Sequence, residues 1–192
     1  MTDHHRRLIG LPGQPHTGVE SRALRSTLNL ERRHVVALAN AIGLYADDVT
    51  TSQVTSWERG KPGGYPEALT TALETIASAV RWMAGGLVEE AMVNAGLIDE
   101  GFLEGEDALR RILYERWGTA LQLRRPLGAK RVLMLLDLGA HDLVLDHHAL
   151  DVLDQGGGDF WQALADAAIS RALIICEAGG SSVQVVLDRE VV

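Results

Sequence analysis

The stretch that most constrains this chain is Thr51-Ser52-Gln53-Val54-Thr55-Ser56-Trp57-Glu58-Arg59-Gly60-Lys61. Hydroxyl residues at its start suit a helix N-cap, and a glycine closes its regular part. Val54 and Trp57 fall three apart on one side, which leaves Ser52, Gln53, Thr55, Ser56 and Arg59 for another face. The spacing predicts a short helix anchored by Val54 and Trp57 that presents hydrogen-bonding groups outward. Such a helix fits the DNA major groove, where glutamine and arginine meet base edges and hydroxyls meet bases or phosphates. An ordinary surface helix docked by one tryptophan has the same spacing and is the plain alternative.

The octet Val54-Thr55-Ser56-Trp57-Glu58-Arg59-Gly60-Lys61 also resembles the end of the recognition helix in lambda-repressor-like, xenobiotic-response-element-type helix-turn-helix proteins. An Ile/Val, Ser/Thr, any residue, Trp, Glu, any residue, Gly run is characteristic there. The likeness implies that Thr51, Ser52, Gln53, Thr55 and Ser56 contact bases or phosphates, that Arg59 and Lys61 contact the DNA backbone, and that Trp57 and Glu58 support the fold. It extends more loosely over Arg22-Ala23-Leu24-Arg25, Leu28-Asn29-Leu30 and Ala39, as a first helix, the turn after it and a helix-crossing position. There are two departures. Many members carry a glutamine near the start of helix two; the matching position here is Arg32, beside Arg33, and either arginine suits a phosphate. Leu30 also lies 27 residues before Trp57, farther than the family spacing. The surplus falls in residues 42–50, as a lengthened second helix, a widened turn or both. It brings Asp47 and Asp48, whose charges oppose phosphates unless the turn carries them away.

A DNA partner has to be reconciled with a net charge of −8. Residues 1–65 carry eight Arg/Lys against six Asp/Glu, whereas residues 66–192 carry ten against twenty. The acidic remainder excludes general nucleic-acid binding and favours docking in one orientation, front end towards DNA. The footprint per chain is then small, and useful affinity needs two copies. No apolar stretch reaches transmembrane length, and residues 8–13 are too short and too broken for an export signal. The single Cys176 permits no internal disulfide. The expected setting is a reduced cytoplasm, with no membrane partner.

Residues 1–18, rich in His, Arg, Gly and Pro, read as a flexible arm in which a solvated tail is favoured over contact of Arg6 and Arg7 with a phosphate or minor groove, and His4 and His5 are incidental. A first helix fits residues 20–28, with Leu24 and Leu28 on one face. A second starts near Glu31, with Val35, Leu38, Ala39 and Ile42 as its stripe. From Pro66, the residues Leu69, Leu73, Ile76, Val80, Met83 and Leu87 predict a long connecting helix to about Asn94, with a kink or break at Gly85-Gly86. Residues 19–95 thus read as a mainly α helix-turn-helix domain with a helical extension, and residues 97–106 as a linker.

Residues 107–192 read as a small α+β domain for oligomerisation, sensing or partner binding. Its expected parts are a helix at 107–121, a basic loop at 124–131, and an apolar run at 132–136 that is either a strand or a core helix. A strand at 143–145 and a helix at 160–169 follow. Last comes a β-hairpin pairing 172–176 with 183–187 across a Gly/Ser turn.

Little in this half suggests catalysis. His141, Asp142, Asp146, His147, His148 and Asp151 are the one histidine/carboxylate cluster. A helix aligns His147 with Asp151, but His141 is out of step, and a polar loop is favoured over a metal site. Cys176 sits in an apolar run and reads as core. Gly156-Gly157-Gly158 lacks a following Lys-Ser/Thr and dinucleotide-binding spacing. No catalytic residue, cofactor or metal is expected. The function that fits is a sequence-specific transcriptional regulator of double-stranded DNA, a homodimeric repressor, with a protein partner or small-molecule effector at the C-terminal domain. The alternative is an antitoxin-like protein that binds a partner through its C-terminal half and autoregulates its operon.

Overall fold

Capping chemistry and apolar period together set the elements. A computed structural model describes residues 17–61, 63–99 and 105–187. The expected arm up to residue 16, with His4, His5, Arg6 and Arg7, and part of the expected linker lie outside them. The described chain is mainly helical with a two-stranded parallel sheet. In order it runs α1 (Gly18–Thr27), α2 (Arg32–Ala41), α3 (Thr51–Glu58), α4 (Glu67–Asn94), α5 (Glu106–Glu115), β1 (Ala120–Arg125) and α6 (Ala129–Leu136). A 3-10 turn (Leu138–His141), α7 (His147–Gly157), α8 (Phe160–Ala178) and β2 (Ser182–Leu187) complete it. Among the described residues no helix is long and apolar enough to cross a membrane.

Two compact units share the chain, and neither is continuous in sequence. The first comprises Met1–Ala77 and Leu138–Phe160; the second comprises Ser78–Asp137 and Trp161–Val192. The expected division into 19–95 and 107–192 was sequential, whereas here α4 contributes to both units and residues 138–160 fold with the front of the chain.

In the first unit, α1 begins at Gly18 behind a capping box. Thr17 accepts from the Glu20 N–H, and Glu20 accepts from the Thr17 N–H at 2.7 Å. Leu28, Leu30, Val35, Leu38, Val49 and Val54 are buried to within a few per cent. α2 stops at Ala41, where Gly43 takes φ +62° and the Leu44 N–H donates to Ala39. The surplus residues 42–50 therefore widen the turn rather than lengthen α2. Asn40 ties this loop down, its side-chain oxygen accepting from the Val49 N–H at 2.7 Å. α7 packs along α2, with Gly156 against Ala37.

The second unit corrects the expected hairpin. Trp161, Leu164, Ala165, Ala168, Ala172, Ile175 and Cys176 are buried at helical spacing, with Ile174 exposed, so residues 172–176 continue α8. Gly179-Gly180 is that helix's C-cap and not a hairpin turn: Gly180 takes φ +76° and the Ser181 N–H donates to Cys176. β2 pairs parallel with β1, from Ala120 opposite Ser182 to Arg125 opposite Leu187. A parallel pair needs a long crossover, which residues 126–181 supply.

The helix expected at 107–121 ends at Glu115, because Gly118 takes φ +84° and Leu121 enters β1. Residues 132–136 are helical and residues 143–145 form no strand. The basic run is not a loop. Arg124 and Arg125 lie in β1 facing Glu90 and Asp166, and Lys130 and Arg131 open α6.

Candidate nucleic-acid interface

α3 starts from its own capping chemistry. Thr50 is the N-cap, its hydroxyl accepting from the Gln53 N–H, while Gln53 Oε1 accepts from the Thr50 N–H at 2.7 Å. The helix ends where Gly60 takes φ +81° and the Lys61 N–H donates to Ser56 at 3.0 Å. Val54 is fully buried and Trp57 is 5% exposed, so both anchors face inward. Trp57 lies between Tyr45 and Tyr65, with ring centroids 6.4 and 6.2 Å away.

The opposite face is open. Thr51, Ser52, Gln53, Arg59 and Lys61 are exposed, and Thr55 and Ser56 partly so. Thr51, Ser52, Thr55, Ser56, Arg59 and Lys61 line one surface depression. Several of these groups already serve the helix. The Thr55 hydroxyl donates to Thr51 at 2.8 Å, Ser56 to Lys61 at 3.2 Å, and the Gln53 oxygen is occupied by Thr50. The Gln53 amide N–H groups and the hydroxyl lone pairs remain for a ligand. Among the described residues Arg59 and Lys61 have no ion pair.

Beneath this face sits a carboxylate the sequence marked only as a support. The Glu58 side chain is fully buried, and it accepts from Arg25 Nε at 2.6 Å, the Tyr65 hydroxyl at 2.8 Å and Arg32 Nε at 2.8 Å. Burial by itself would raise its carboxyl, but the bonds from Arg25, Tyr65 and Arg32 outweigh it and hold the group below its ordinary range. Burial and then the Glu58 charge push the Tyr65 phenol well up. Arg25 also donates to the Leu30 carbonyl at 2.6 Å, and Ser21 accepts from the Tyr65 N–H at 2.9 Å. α1, α2, α3 and the loop before α4 thus meet at one ion cluster. α1 also approaches α3 closely: a Cβ on Gly18 would lie 2.5 Å from the Gly60 nitrogen and 2.6 Å from the Glu58 carbonyl oxygen.

This arrangement divides the four expected backbone cations. Arg59 and Lys61 are free on the α3 face, whereas Arg32 is committed to Glu58. Arg33 bonds Glu31 at 3.0 Å and Asp159 at 2.8 Å. Asp159 also binds His34, whose Nδ1 accepts from the Glu31 N–H and whose Nε2 meets the carboxylate at 2.8 Å. Asp159 lies 125 residues from His34, so no local pattern could have announced it. Arg25, 33 residues from Glu58, was missed for the same reason; Tyr65 is only seven away, but it lies in the loop after α3, off any helical period.

In the expected polar cluster, Asp146 caps α7 through the Ala149 N–H at 2.8 Å. Among the described residues no three His, Cys, Asp or Glu gather as a metal site. Cys176 is buried, and burial, then Glu177, pushes its thiol up to about 11. Comparison of the chain with protein-family models, with curated proteins and with solved structures finds no match.

Proposed function

We propose that the chain is a sequence-specific regulator of transcription that binds double-stranded DNA as a homodimer, with α2, the widened turn and α3 acting as a helix-turn-helix. The observation that carries this reading is the α3 face. It offers exposed hydroxyls and an amide on one rigid helix, with two unpaired cations at its C-terminal end, while both anchors and a charged cluster hold the helix from behind. α3 enters the major groove; the Gln53 amide and the hydroxyls of Thr51, Ser52, Thr55 and Ser56 meet base edges or phosphates, and Arg59 and Lys61 meet phosphates. Arg32 and Arg33 act indirectly, by fixing α2 and α3. Repression is steric, two copies covering half-sites about one helical turn apart.

The test is selection of bound sites from a random duplex pool by the purified chain, then a salt titration on the winner. Enrichment of a palindrome with half-sites about ten base pairs apart is expected, with affinity falling steeply as salt rises. No enrichment would overturn the reading.

A further inference from the structure

β2 is an unprotected edge of the second unit. None of its residues is buried, and among the described residues it pairs with β1 alone. The phase of that ladder is given by Ser182, whose N–H donates to Thr119 at 3.1 Å. Along a strand alternate residues turn their backbone groups to the same neighbour. Ser182, Gln184 and Val186 therefore face β1, and Val183, Val185 and Leu187 turn N–H and C=O to the open edge. Val185 is 40% exposed and Leu187 55%. Natural edges are blunted by charge, proline or a bulge, and β2 contains no charge and no proline. At the cap leading into it, Trp117 lies against the Gly180 backbone so closely that a side chain there would overlap the indole. Trp117 is 70% exposed, in T-shaped contact with Tyr114, itself 68% exposed. Exposed aromatic side chains are typical of interface centres.

We propose that this edge is a homodimer interface, in which β2 pairs antiparallel with β2 of a second copy about a two-fold axis at Val185. Val183 then faces Leu187, Val185 faces itself, and two two-stranded sheets become one of four strands. A second copy fits because the strand is uncharged, so two chains of net charge −8 meet here without like charges opposed. Antiparallel self-pairing also matches identical free donors to identical free acceptors, as an isologous contact requires. Val185 and Leu187 put exposed apolar surface at this edge, and Trp117 and Tyr114 add more beside the start of the strand. The inference supplies the two copies on which the DNA-binding reading rests, but it is tested without DNA.

Light scattering on the full chain at micromolar concentration, free of DNA, is expected to give twice the chain mass of 20.8 kDa. Val185→Pro removes an edge N–H that β1 does not use, and Val185→Lys opposes a charge to its own copy. Both are expected to run as monomers with the parent's circular dichroism. A monomeric parent, or a dimer kept by both variants, overturns the proposal; if Val185→Pro unfolds, Val185→Lys decides. A failed site selection from the duplex pool bears on the DNA reading alone and leaves the mass result standing.

Discussion

Removing the Glu58 carboxylate from water costs solvation that no single partner returns, and Arg25, Arg32 and Tyr65 restore it together. Because its folded pKa lies below the ordinary carboxylate value of 4.5, its contribution is complete above that value and is lost as pH falls through the folded one. Melting followed from neutral to acid pH should therefore decline below about 4.5. Glu58→Gln should cost about 3–5 kcal/mol at neutral pH and flatten this decline; an unchanged acid profile would remove Glu58 from the role. On the open face, Gln53→Ala should abolish preference between sites while weak salt-dependent binding persists, with about 1 kcal/mol lost through the capping box. Arg59→Ala should weaken binding to all sequences and reduce the salt slope by about 1. A Gln53 variant with its site preference intact would show that another residue reads the bases. Val54 and Trp57 were legible as anchors from their spacing alone. The commitment of Arg32 was not, because its carboxylate is 26 residues away.

At the scale of elements, α3 is pinned where α1 begins. The backbone of Trp57, Glu58 and Gly60 leaves no room for a methyl on Gly18, so Gly18→Ala should destabilise by about 1–3 kcal/mol, as overpacking does. An unaltered melting temperature would show that α1 can yield. The apolar stripes of α1, α2 and α4 and the cap of α3 were readable, but Thr17 and Gly18, expected in the arm, cap and open α1, and α4 runs unbroken through Gly85-Gly86. The widened turn was one of the alternatives, and Asn40 holding Val49 decides for it. The run at 172–176 was misread because a short apolar stretch fits a buried strand as well as a buried helix. Helical packing from Phe160 onward carried α8 through it, and the glycines that suggested a turn serve as its cap.

Across the whole molecule, residues 138–160 join the front of the chain. A fragment of residues 1–106 should accordingly melt below the intact chain's first transition or lack a cooperative one, because α2 loses α7 and Arg33 and His34 lose Asp159. A fragment as stable as the parent would make the front of the chain autonomous. The cap and glycine stop of α3, its anchoring side and its polar face follow from contacts within a few residues of one another, and the order of residues was enough for them; the ends of α5 and α8 were set by tertiary packing. The Glu58 cluster, the pairing of β1 with β2 and the return of α7 onto α2 join positions far apart in the chain. Such partners are selected by shape and by the cost of leaving buried polar groups unpaired, which only the folded chain expresses.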